Sequence, residues 1–179
     1  MGFPGRQASV QSLVNDHYEA LYRYAYRLSG RATDAEDLVQ ETFCKAQEKL
    51  SQLREPERAK AWLFSILRNG YLHRFRASQH PRMLTLEEIH DFPEPAENLP
   101  EVEPEKLQQA LNELPEVFRT PVIMFYFEEF SYRDIAEQME VPIGTVMSRL
   151  ARAKAFLRDR LFPPTPVAAE SRGRTSHGL

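Results

Sequence analysis

The chain of 179 residues contains a single cysteine, Cys44. A lone thiol excludes an internal disulfide and any zinc site built from several thiolates. The histidines, His17, His73, His80, His90 and His177, are scattered along the chain and never fall at metal-ligand spacing. No metal and no cofactor is therefore expected. Glycine is scarce, with 7 residues, and no Gly-rich phosphate loop or nucleophile motif occurs, which argues against an enzyme. No apolar run approaches the ~18 residues of a membrane span. The opening "MGFPGRQASVQSLV" lacks a charged stretch followed by a long apolar one and does not read as a signal peptide. The expectation is a cytoplasmic protein with no membrane insertion. Strand signals are weak throughout.

What the chain does have is charge in an uneven layout. The formal net charge is −3. Residues 51–82 nevertheless carry 7 basic and 2 acidic side chains, residues 83–116 carry 1 and 10, and residues 141–162 carry 5 and 1. Two basic patches around an acidic middle suit a polyanion touched in two places, and they equally suit two solvated helix faces.

Apolar periodicity predicts an all-α protein. Val10, Leu13, Val14, Leu21, Ala25 and Leu28 form one face of a first helix. The stretch "GRATDAEDLVQETFCKAQEKL" pairs Thr33 with Glu36 in a capping-box pattern, and Leu38, Val39, Phe43 and Ala46 supply its apolar stripe. A third helix begins near Glu57. It places Trp62, Leu63, Ile66, Leu67 and Gly70 on one side and Arg58, Ser65, Arg68, Asn69 and Arg76 on the other. Trp62 is expected in the core and Cys44 as a small buried hydrophobe. The Pro- and Glu-rich segment 83–103 reads as an extended acidic linker. Beyond it, Pro121 should start a helix capped by Thr120 or kink one. The residues 163–179 read as a disordered tail.

The stretch "SYRDIAEQMEVPIGTVMSRLARAKAFLRDRL" carries the most specific local signal. Ser131 caps a short helix, a tight turn follows through Ile143, and a longer helix opens at Gly144-Thr145. Val146, Leu150, Ala153 and Leu157 give that helix an apolar face. A short helix, a tight turn and a basic helix make a helix-turn-helix. In that motif the second helix enters the major groove and its first residues reach base edges. Here those are Thr145, Met147, Ser148 and Arg149, with Arg152 and Lys154 one turn later beside the phosphates. Thr145 could equally serve as a helix cap, and Arg152, Lys154 and Arg158 as solvated side chains. Glu140 occupies a turn position that favours glycine.

Three segments together resemble a known family. "TDAEDLVQETFCKAQEKL", "AWLFSILRNGYLHRFR" and "LPEVFRTPVIMFYFEEFSYRDIAEQMEVPIGTVMSRLARAKAFLRDRL" look like a bacterial RNA polymerase sigma factor of the extracytoplasmic-function group. The resemblance covers about residues 10–162. It implies a region 2-like domain at 8–82, a linker at 83–103 and a region 4-like helix-turn-helix domain at 104–162. It also implies core RNA polymerase, promoter DNA and an anti-sigma factor as partners. Asp37, Gln40 and Glu41 match the surface that docks on core polymerase. Arg58, Lys60, Arg68, Asn69 and Arg76 match the surface that reads the −10 element, and Thr145, Met147, Ser148, Arg149, Arg152 and Lys154 the −35 element. Three positions depart from the family's usual pattern. His73 stands where Asp is frequent, Met147 where Lys is common, and Gly70 where a bulkier apolar residue is usual. The alternative reading is a stand-alone helix-turn-helix regulator that needs no polymerase.

Overall fold

The computed structural model describes residues 9–75 and 102–163. Arg76, the acidic linker up to residue 101 and the tail from residue 164 lie outside the described residues. Within them the chain forms seven α-helices and two short 3-10 turns, with no strand. The helices are α1 (Val10–Ser29), α2 (Ala32–Glu48), α3 (Ala59–Phe75), α4 (Pro104–Glu113), α5 (Glu116–Tyr126), α6 (Tyr132–Met139) and α7 (Ile143–Leu161).

Helix α1 opens with a capping box in which the Ser9 and Ser12 side chains each take the other's backbone N–H. It ends on Gly30, whose φ of 73° is left-handed and whose N–H donates to the Tyr26 carbonyl. The chain therefore reverses in two residues and α2 returns along α1. A β-carbon on Gly30 would stand 2.8 Å from the Asn112 side chain of α4. Glycine here serves both the turn and a close approach.

The expected cap of α2 is not observed. The helix begins at Ala32 on an Arg31 N-cap with no side-chain bond, so Thr33 already lies inside it. The Gly30 reversal starts the helix early, and Arg31 pairs with Asp34 at 3.7 Å instead. Capping boxes open α1 and α6, where Ser131 and Asp134 form the second.

Most of the periodic apolar positions become the core, joined by Tyr24, Phe64 and Tyr71, while Val10 and Val14 stay partly exposed at the start of α1. Trp62, expected inside, packs only against the core's edge. Cys44 is exposed on α2 rather than buried. Pro121 neither starts a helix nor follows a Thr120 cap: both residues lie inside α5, where the Thr120 hydroxyl donates to Glu116 Oε1 at 2.9 Å.

Helix α3 has little amphipathic contrast because it is covered on two sides. One side packs on α1 and α2. Phe64 stacks on Tyr24 of α1 at 4.7 Å and also meets Phe130, from beyond α5, at 5.0 Å, which brings the C-terminal half onto the helix. The core is thus continuous between the N-terminal and C-terminal helices. Arg119 of α5 is buried at this junction. Its guanidinium donates to the Leu28 carbonyl at 2.6 Å and to the Leu114 carbonyl at 2.9 Å. A cation against the last carbonyls of α1 satisfies acceptors that the helix leaves open and meets the negative end of its dipole.

Candidate nucleic-acid interface

Two helices carry the sequence-predicted DNA contacts, and their surroundings differ. In α7, Val146, Leu150 and Ala153 are buried against the rest of the C-terminal half. This fixes which face turns outward. Met147, Ser148, Ala151 and Lys154 are exposed, and Thr145, Arg149 and Arg152 are partly so. The helix starts at Ile143 on a Pro142 N-cap, so Thr145 is not its cap. The turn before it passes through Glu140 with φ 54°, a left-handed residue whose N–H closes onto Ala136 and Glu137. The position that favours glycine is therefore held by a strained glutamate, at a cost of ~1–2 kcal/mol.

Helix α3 is arranged otherwise. Arg58, in the 3-10 turn before it, clasps Glu137 of α6 with Nη2 at 3.0 and 2.8 Å from the two carboxylate oxygens. The Lys60 ammonium donates to the Glu128 carbonyl at 2.6 Å and lies 5.0 Å from the Phe130 ring. The Arg68 guanidinium reaches the Gln138 carbonyl and Glu116 Oε1, each at 3.3 Å. Asn69, the fourth of these described residues, faces solvent and has no partner in the C-terminal half. The cations proposed to meet the −10 element are brought together and bonded to the C-terminal half, which covers Arg68 and part of Lys60 and leaves Arg58 more than half exposed.

Between these contacts runs a groove of about 920 Å³. Arg54, Trp62, Asn69 and His73 line one wall, and Asp134 and Glu140 the other. Its walls are of opposite sign, as expected where a basic helix meets the acidic side of α6.

Helix α2 presents Asp37 and Gln40 to solvent and Glu41 partly so. Arg74 of α3 bridges Asp37 and Glu41, each at 3.3 Å. Lys45 donates to Glu41 at 2.5 Å. The Lys45 hydrogen bond is the main reason the Glu41 carboxyl is held below its usual range. This rim is charged, hydrogen-bonded and accessible, the character of an interface periphery.

Sequence reasoning missed Arg119 and Glu128. Glu128 is buried between Arg23, Arg27 and Lys60, with Arg23 at 3.9 Å and one carboxylate oxygen lacking a hydrogen-bond partner. Burial pushes its carboxyl up despite these cations. The run "FEEF" gave one signal, since an acidic pair between aromatics puts at least one carboxylate near a core. Among the described residues no cluster of His, Cys, Asp and Glu could hold a metal, and no helix is long and apolar enough to cross a membrane.

Comparison with known proteins follows the same division. Residues 13–80 match the family model described as Sigma-70 region 2, and residues 105–157 that described as Sigma-70, region 4. The chain is 38% identical over 180 residues to the ECF RNA polymerase sigma factor SigE of Mycolicibacterium smegmatis, covering 93% of this chain and 68% of that protein. It is 30% identical to the RNA polymerase sigma factor SigV of Bacillus subtilis, covering 87% of this chain and 92% of that one. Among solved structures it resembles the sigma factor RpoE from Bartonella quintana, crystallised with the anti-sigma factor NepR. The TM-score is 0.68 at 31% identity, over 87% of this chain and 98% of that one. It also resembles CnrH, in complex with the cytosolic domain of CnrY, with a TM-score of 0.65 at 25% identity over 90% and 92%. With both regions matched in order across the chain, it belongs to the extracytoplasmic-function group of RNA polymerase sigma factors, the proteins that direct transcription initiation.

Proposed function

We propose that this sigma factor works through three separate surfaces. The α2 rim with Asp37, Gln40 and Glu41 docks on core polymerase. Arg58, Lys60, Arg68 and Asn69, with Arg76 beyond the described residues, engage the −10 element. Thr145, Met147, Ser148, Arg149, Arg152 and Lys154 of α7 engage the −35 element. Residues 8–82 and 104–162 act as the two binding units, and 83–103 as their tether. The protein performs no covalent chemistry and acts in the cytoplasm.

The observation that carries this reading is the contrast between the two helices. Both bear cations on a defined face, but α7 leaves that face open while α3 has three of its candidates bonded to α5, α6 and the segment between them. The arrangement is a closed resting form. Promoter binding requires the halves to part, and mounting on the polymerase supplies the energy. An anti-sigma factor, of the kind bound to the similar RpoE, holds the chain inactive.

Run-off transcription with core polymerase on a library of promoter fragments tests the proposal. Adding the full chain should create new start sites. Charge reversal of Asp37 or of Arg149 should abolish them. Unchanged initiation in the presence of the chain would refute it.

A further inference from the structure

Helix α7 exposes something that charge does not explain. Ile143 and Met147 are 46% and 53% exposed, among the few large apolar side chains of the described residues that face water. They stand one helical turn apart, and exposed Ala151 continues the same line. The stripe is not spare core, because α7 already buries Val146, Leu150 and Ala153 while Ile143 and Met147, beside that face, stay in solvent. Ser148, beside it, spends its hydroxyl hydrogen on the Thr145 carbonyl at 3.0 Å and keeps its oxygen as an acceptor. At Gly144 an added β-carbon would meet nothing within 4 Å, so the surface is open at the start of the helix. Lys154, exposed two turns beyond Met147, lies on the same line, and Arg149 and Arg152, partly exposed elsewhere on the helix, add charge that attracts a polyanion.

One chemistry meets both features. Duplex DNA is a polyanion, and in its major groove thymine alone among the four bases presents a methyl group, which proteins read by apolar contact. Methionine suits such a contact because its unbranched, polarisable chain adapts to the methyl's position. A lysine at position 147 would instead favour a phosphate, or the O6 and N7 acceptors of guanine. We propose that Ile143 and Met147 read thymine methyl groups, so that the upstream promoter element of this sigma factor carries thymine where that stripe lies. The inference rests on the assignment of α7 to the −35 element and adds the chemical feature that it selects.

The test uses holoenzyme made from core polymerase and the full chain. Duplex promoters randomised in the upstream element are selected by holoenzyme binding, and each thymine of the selected element is then replaced by deoxyuridine. Deoxyuridine keeps the pairing and removes only the 5-methyl. At one or more positions binding should weaken about fourfold, the worth of one buried methyl. M147A or I143A should bind the thymine promoter more weakly and lose that penalty at the same position. M147K should recover affinity without recovering thymine preference, with a salt dependence steeper by about one. If the selected element tolerates deoxyuridine everywhere, or if both alanine variants keep the full penalty, the methyl contact is wrong while the −35 assignment stands. If holoenzyme selects no upstream sequence at all, the assignment of α7 fails and the inference with it.

Discussion

The closed arrangement can be opened from its acidic side without touching the proposed DNA contacts. Glu137→Arg replaces the partner of Arg58 with a like charge. Both side chains are more than half exposed, at 53% and 61%, so the pair contributes ~0.7 kcal/mol and its reversal costs a similar further amount. Glu116→Gln acts where solvent screens less. Arg68 and Glu116 are only 13% and 15% exposed, and a buried cation deprived of its carboxylate costs ~3 kcal/mol. Glutamine keeps an acceptor for the Thr120 hydroxyl, so the start of α5 should persist. At 1.4 kcal/mol per factor of ten, the open fraction should rise about tenfold in the first variant and about a hundredfold in the second. The two sites share no partner, so the double variant should reach about a thousandfold. Opening is measured by energy transfer between a dye on Cys44, exposed on α2, and one on Arg133→Cys, exposed on α6. Binding of the unlabelled free chain to forked −10 DNA is measured in parallel. Salt should shrink the Glu137→Arg effect more than the Glu116→Gln effect. Glu105→Arg, which adds the same charge on α4, is the control and should leave the transfer unmoved. If both variants retain wild-type transfer and wild-type DNA affinity, the junction is not what restrains the −10 surface.

Three further perturbations test the packing. Gly70→Ala places a β-carbon 3.9 Å from Leu38 Cδ2, an ordinary contact. It should stabilise α3 by ~1 kcal/mol, read as a melting temperature higher by ~2–4 °C. Gly30→Ala should cost ~1–2 kcal/mol for the left-handed backbone, with the Asn112 side chain free to shift aside, so its denaturation midpoint should fall; an unchanged midpoint would contradict the left-handed turn between α1 and α2. Glu128→Gln tests the buried carboxyl. Burial raises its folded-state pKa, so its contribution is fully present below the ordinary carboxylate range and is lost as pH rises through the raised value. The gain in stability from Glu128→Gln should therefore be near zero in acid and grow to a plateau at higher pH; a gain that is flat across pH, or a loss at neutral pH, would refute the assignment.

Much of this was readable from the chain. The spacings of α1, α3 and α7 reported their buried faces, since 3.6-residue periodicity is a direct image of a helix packed on one side. The turn at Glu140 was readable because its geometry demands a left-handed residue whatever side chain occupies it. Other features escaped for physical reasons. The Thr33 and Glu36 pattern lost to a helix start fixed by Gly30, because a cap motif has effect only where the backbone first becomes helical. Cys44 was expected inside because thiols usually are, but its position on α2 points away from both neighbours. Arg119 could not be found from sequence at all. It lies in an apolar run, and its partners, the carbonyls of Leu28 and Leu114, are backbone groups that carry no sequence signature.

The polar face of α3 is the instructive case. Periodicity located it correctly and left open what covers it. Cations arranged to meet phosphate and base edges are equally able to meet carboxylates and helix-end carbonyls, because both sets present oxygen acceptors at hydrogen-bond distance. Glu137, Glu116 and the carbonyls of Gln138 and Glu128 supply that second set. An Arg58 held by Glu137 cannot clasp a phosphate with the same Nη2, and Lys60 has one of its three ammonium N–H donors committed to the Glu128 carbonyl. On the proposed reading, then, closure and −10 engagement compete for the same side chains. Whatever separates α3 from α6 must overcome these contacts and the Phe64–Phe130 packing, and parting the halves altogether must also break the Arg119 bond to the Leu28 carbonyl and the core they share.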